Sequence, residues 1–296
     1  MPSRRTAVAA VLAIAAAAAV TAGCGGGTSN ALQVDPVSAA AAKTQSAGPA
    51  HVRLSMVLRG HGKVVRLHGT GAIDGTSAEM SFKLGSLLSQ AGIPAGATPS
   101  DITAKLRHGS VKEIALEQNG DYVLFMHLGF LSSQLPGGMQ WIKLDVTKLG
   151  KAAGVDLSKM MSGSELQPTD LLSMLKAEGA KVHKVGTATI DGVATTHYHV
   201  TVDTAKALQS KGLTGPLLSR VAEQTKSVSA NVWIDKNGLV RRTAFGYSSP
   251  VAGGPRMAMR MDISDYGAHV SISAPPSSQV FDATQLAQQG LAGSFH

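Results

Sequence analysis

The feature that most constrains this chain is an alternation of apolar and polar residues with a period of two, repeated along most of its length. In HVRLSMVLRG, Val52, Leu54, Met56 and Leu58 fall on one side, and His51, Arg53, Ser55 and Arg59 on the other. Successive side chains of a strand point to opposite faces, so a segment of this kind buries one side and wets the other. KVVRLHGTGAIDG repeats the pattern with Val65, Leu67 and Ile73. SAEMSFKL places Ala78, Met80, Phe82 and Leu84 on one face. Further strands are expected at VKEIALEQ, DYVLFMHL, QWIKLDV, KVHKVGTATI, ATTHYHVTVD, SANVWID, LVRRTAFGY and PRMAMRMDISDY. Asp74-Gly75, Asn119-Gly120, Asp191-Gly192 and Asn237-Gly238 separate neighbouring runs. Asx-Gly pairs accept the positive φ that tight hairpins need. The expectation is about ten or eleven antiparallel strands in a hairpin-linked meander.

Between the strand groups lie helical patterns. DPVSAAAAKTQ reads as a first helix, with Asp35 before Pro36 in the N-cap and N1 order. TKLGKAAGVDLSKMM, PTDLLSMLKAEG, TAKALQSKG and TGPLLSRVAEQTK read as later ones, and a short helical tail ends the chain. A sheet with one apolar face needs a cover, and the helices are the natural one. The expected class is therefore α+β: a strongly curved antiparallel β-sheet, a half-barrel, with helices covering its concave face. The string T-x-x-I-D-G occurs at Thr70–Gly75 and at Thr187–Gly192. It records either a duplication of two sheet halves or one hairpin chemistry used twice.

The N-terminus has a different pattern. Arg4 and Arg5 precede an apolar run from Ala7 to Val20. At about 14 residues that run is shorter than the roughly 20 a membrane span needs, and it fits the apolar core of a secretory signal. Ala22 and Gly23 follow, then Cys24, the chain's single cysteine. One cysteine forms no internal disulfide and no zinc cluster. Small residues before a cysteine at the end of a signal resemble a bacterial lipobox, although Thr21 stands where lipoboxes prefer leucine. That resemblance implies cleavage before Cys24 and acylation of its sulfur, and stable anchoring then needs more than one chain. Residues 1–23 are expected to be the lipoprotein signal peptide, 24–34 a flexible Gly-rich tether, and 35–296 a single domain. Losing Arg4 and Arg5 lowers the formal charge from +8 to +6. Dispersed cations, few aromatics and export argue against a nucleic-acid partner.

No nucleophile elbow, P-loop, zincin motif or dinucleotide fingerprint occurs in the chain. Two stretches carry possible metal chemistry. His197 and His199 share a strand face, as ligands or as solvent-facing neighbours of Tyr198 and Val200. Met257, Met259 and Met261 form a stripe that suits Cu(I) or, more simply, an apolar core. We expect no enzyme activity, cofactor or metal.

VGTATIDGVATTHYHVTVD, a helical insert, VWIDKNGLVRR and SISAPPSSQVFD together resemble the LppX/LprG-type lipoproteins of actinobacteria, relatives of the LolA-like lipid carriers. The likeness spans roughly residues 35–285. It is sharpest at Asp191-Gly192 with Thr196, His197 and Tyr198, at Val202-Asp203, and at Trp233 with Asp235, Gly238 and Arg241-Arg242. The resemblance implies a membrane-anchored, extracytoplasmic carrier that binds lipid or lipoglycan acyl chains between sheet and helices, as a monomer. The strand faces expected to line that cavity carry Leu54, Met56, Leu58, Leu67, Met80, Phe82, Tyr198, Val200, Met257, Met259 and Met261. The helical cover is expected to add Leu171, Leu172, Leu175, Leu217, Leu218 and Val221. The alternative is an envelope interaction or sensor module of the same fold with a filled core.

Overall fold

A computed structural model of the protein describes residues 36–60, 62–83, 109–129, 132, 135–152, 181–210, 219, 222–223, 225–248, 254 and 256–292. Helix α1 (Pro36–Ser46) leads into β1 (Ala50–Gly60), β2 (Lys63–Asp74), β3 (Ser77–Lys83), β4 (Ser110–Gln118), β5 (Asp121–His127) and β6 (Trp141–Asp145). Helix α2 (Val146–Ala152) follows, then β7 (Lys181–Ile190), β8 (Val193–Asp203), α3 (Thr204–Ser210), β9 (Ser227–Asp235), β10 (Val240–Ser248) and β11 (Arg256–Ser264). The short β12 (Val280–Asp282) and α4 (Thr284–Ala292) complete the described chain. Among the described residues no helix is long and apolar enough to cross a membrane.

The strands form one 12-stranded sheet in the order β12-β6-β5-β4-β3-β2-β1-β11-β10-β9-β8-β7. The hairpins are those expected, but the sheet is not a single run through the chain. Two meanders, β1–β6 and β7–β11, run outward from the middle, where β1 pairs antiparallel with β11. The sheet is also mixed. β12 adds in parallel to β6, pairing Val280 with Trp141 and Asp282 with Lys143. A three-residue strand is too short to show a period, so the sequence pattern contains no sign of it. The edges, β12 and β7, do not pair with each other, and the sheet is open.

Turn chemistry sets the registers. Ile190 pairs with Val193, leaving Asp191 (φ 48°) and Gly192 (φ 80°) as the two-residue loop. Positive φ at both positions is the arrangement that continues strand twist. The other copy of the T-x-x-I-D-G string closes differently. Asp74 pairs with Ser77, so Gly75 and Thr76 make that loop. The repeated string thus ends in two different turns.

The largest core lies on one face. Val37, Ala40 and Ala41 of α1 pack there with Val52, Leu54 and Met56 of β1, Val232 and Ile234 of β9, and Met259, Met261 and Ile263 of β11. Thr44 fixes the helix to β10, because its Oγ1 accepts the Val240 N–H at 2.9 Å. Tyr266 donates to the Val240 carbonyl, and the Arg241 guanidinium lies 5.0 Å over the Tyr266 ring. Among the described residues α1 is the helix joined to this core. The remaining helical cover was expected over residues 153–179 and 211–224. Of those residues only 219 and 222–223 are described. α2 and α4 pack together beside β5 and β6 instead.

Candidate functional site

The strand residues expected to line a cavity all lie on the α1-bearing face. Register places Leu54 opposite Met261, Met56 opposite Met259, and Leu58 opposite Met257. On the other side of β1, Met56 faces Leu67, and β2 in turn sets Gly69 beside Phe82 and Gly71 beside Met80. Beyond β11 the face continues through Phe245 to Tyr198 and Val200, which pair with Val232 and Ala230. The two β2 glycines let the neighbouring side chains lie across the strand. A Cβ on Gly69 would come within 2.5 Å of the Phe82 ring, and one on Gly71 within 1.8 Å of the Glu79 carbonyl oxygen.

These residues are not equally placed. Val200 is 1% exposed, and Leu54, Met56, Leu67, Met80, Phe82, Met259 and Met261 are buried. Tyr198 and Met257 are partly buried against the same core. Leu58 differs from the expectation: it is 41% exposed, at the end of β1. Tyr247, opposite Met257, and Val228, opposite Val202, are exposed on the same end of the face. Apolar side chains therefore run from the buried middle of the sheet to an exposed lip. Cys24, Leu171, Leu172, Leu175, Leu217, Leu218 and Val221 lie outside the described residues.

The alternation also conceals a polar group. Glu113 of β4 shares the apolar face, opposite Met80 of β3 and Met126 of β5. It is 3% exposed, and neither carboxylate oxygen has a hydrogen-bond partner among the described residues. Burial pushes its carboxyl up to about 7. Tyr122 of β5 lies on the same face and is buried, and its hydroxyl also lacks a partner among the described residues. Burial, with the nearby charges of Glu113 and Glu117, pushes that phenol up to about 12. Period two assigns Glu113 to a side with Val111, Ala115 and Glu117, which reads as the wet side. The clue to the contrary is the continuous apolar run Tyr122–Met126 of the neighbouring β5, which marks burial on both faces.

The opposite face is polar in the β1, β7–β11 half. Asn231 Oδ1 lies 2.9 Å from His197 Nε2 and 3.2 Å from His199 Nδ1, and this acceptor selects tautomers carrying protons on those nitrogens. The His197 ring stacks on Trp233 at 4.2 Å. Asp262 pairs with Arg242 and lies 3.6 Å from Arg260 and 3.9 Å from Arg53. At the β9–β10 turn, Asp235 Oδ1 accepts the Asn237 and Leu239 N–H groups, and Oδ2 accepts Arg241 Nε at 2.7 Å. Burial pushes the Asp235 carboxyl up, but the Leu239 N–H, Arg241 and the Asn237 N–H outweigh it and hold it below its usual range. Met257, Met259 and Met261 point away from these groups, into the core. Among the described residues, no three or more His, Cys, Asp or Glu side chains are placed to hold a metal.

No protein-family model matches the chain. An uncharacterized 31.2 kDa protein from the rplA-rplJ intergenic region of Streptomyces griseus is 29% identical over 178 residues. That match covers 57% of this chain, and the chain spans about half of the relative's length, 56%. The solved structures that match include lipoprotein LppX of Mycobacterium tuberculosis, with 14% identity, a TM-score of 0.41, and coverage of 79% of this chain and 94% of that one. They also include LprF of Mycobacterium bovis, with 12% identity, a TM-score of 0.40, and coverage of 82% and 96%.

Proposed function

We propose that this chain is an extracytoplasmic lipoprotein that holds acyl chains against the apolar face of its sheet. In this reading residues 1–23 are a cleaved leader, Cys24 carries the lipid anchor, 24–34 are the tether, and 35–296 form one binding body. The observation that carries the reading is the apolar face itself. It continues strand by strand from Phe82 and Met80 to Val200, has methionines at its centre, and reaches an exposed lip at Leu58, Tyr247 and Val228. Methionine side chains adapt to flexible partners, which suits ligands of variable shape. A chain of about sixteen carbons leaving water for such a surface gains on the order of 10 kcal/mol before ordering costs. No nucleophile or metal is needed for that role.

The test is mass spectrometry of organic extracts of the purified protein, alongside a Leu58→Trp variant that places a bulky ring at the lip. Co-purifying acyl lipid that declines in the variant supports the reading, and protein free of lipid under all loading conditions sinks it. A second reading, a filled-core envelope module, has its own observation. Val37, Ala40 and Ala41 of α1 already occupy part of the face, and Val200 beside them is closed to solvent.

A further inference from the structure

We infer that Glu113 and Tyr122 form a polar subsite within the apolar face, and that it takes the uncharged hydroxyl groups of an acyl-bearing amphiphile. The inference rests on the acyl-binding reading and adds a headgroup preference to it. Its basis is a set of unmet hydrogen bonds. Among the described residues, both carboxylate oxygens of Glu113 and the hydroxyl of Tyr122 are buried without hydrogen-bond partners. Leaving such groups unpaired costs far more than pairing them gains, so buried sites that keep them are matched by something that supplies the bonds.

The local register provides a place for it. Glu113 and Tyr122 belong to adjacent strands, and the positions between them are held by Ala115 opposite Leu124. Ala115 also faces Ala78 of β3. Two alanines make a low floor between a carboxyl and a phenol. Across from Glu113, β3 offers Ala78, Met80 and Phe82, and β5 offers Leu124 and Met126; the titratable groups sharing the face on these strands are Tyr122 and Glu117. Among the described residues no cation pairs with Glu113, and burial is what moves its protonation. A hydroxyl meets this chemistry as both donor and acceptor. One hydroxyl can donate to the carboxyl oxygen and another accept from the phenol, whether or not Glu113 holds its proton. A second carboxylate or a phosphate would bring like charge into a site without a counter-ion.

The experiment offers the purified full-length protein an equimolar mixture of 1-monooleoylglycerol and methyl oleate from one detergent stock. The probes share chain and ester, and only the first has free hydroxyls. Bound lipid is extracted and counted by mass spectrometry. Glu113→Leu is expected to lower the bound ratio of monooleoylglycerol to methyl oleate by roughly tenfold, about the value of one hydrogen bond to a polar buried group. Glu113→Gln, which keeps a donor and an acceptor, is expected to hold the wild-type ratio. A thermal melt of each variant shows that it is folded. An unchanged ratio in Glu113→Leu, with both probes bound, overturns the subsite and leaves the acyl-binding reading standing. Binding of neither probe by any form removes both.

Discussion

Asp235 and Glu113 are buried almost equally, at 6% and 3% exposure, yet they respond in opposite directions. Asp235 sits at a turn whose backbone curls around it. Two N–H groups and a guanidinium converge on its oxygens, and its carboxyl is held down. Glu113 sits mid-strand, where backbone donors are committed to the β-ladder, and its carboxyl is pushed up to about 7. Burial alone therefore does not make a carboxylate structural. Converging donors do, and a site that lacks them is left to a ligand or to a proton.

The largest effect expected from this contrast is the loss of Asp235. Asp235→Ala strands the Arg241 guanidinium and two turn amides, and is expected to cost about 3–5 kcal/mol in denaturant unfolding. A cost below about 1 kcal/mol would show that the turn holds without it. Lowering the pH should act similarly. The Asp235 contribution is complete above its ordinary value of 3.8 and is lost as pH falls through its depressed folded value.

Glu113 gives the opposite slope. The unfolded chain releases this proton near 4.5, while the folded chain holds it to about 7. Stability should therefore fall as pH rises across that window, by up to about 3 kcal/mol above pH 7. Glu113→Leu should remove this slope and be at least as stable as wild type at pH 8, by urea titration at pH 5 and 8. The same pH profile in both proteins would mean that Glu113 is already paired.

Smaller effects separate the filled part of the apolar face from its lip. Val200→Trp forces a large ring into a closed position and should cost roughly 1–3 kcal/mol. Gly71→Ala, whose new Cβ meets the Glu79 carbonyl at 1.8 Å, should fall in the same range of about 1–3 kcal/mol. Leu58→Trp, at the exposed lip, should stay within about 0.5 kcal/mol. Equal melting shifts for Val200→Trp and Leu58→Trp would erase the distinction between core and lip.

The strands were legible because alternation is a local signal: KVHKVGTATI is β7 from end to end, and HVRLSMVLRG is β1 less its first residue. The side was legible for most strands, since Leu54, Phe82, Val200 and Met259 do share a face, but not for β4, which turns Glu113 toward it. Less could be read at strand ends. Leu58 has the same parity as Leu54 but is exposed at the end of β1.

What the sequence determined by itself was each strand's period, its turn residues and the apolar face they imply, because these depend on neighbours two to four positions away. Tertiary structure decided the rest. It set β1 beside β11, laid Val280–Asp282 parallel to β6, and buried Glu113 on an apolar face while enclosing Asp235 in a turn. Strand pairing and desolvation are set by groups far apart in the chain, and alternation within one strand carries no record of which partner will arrive.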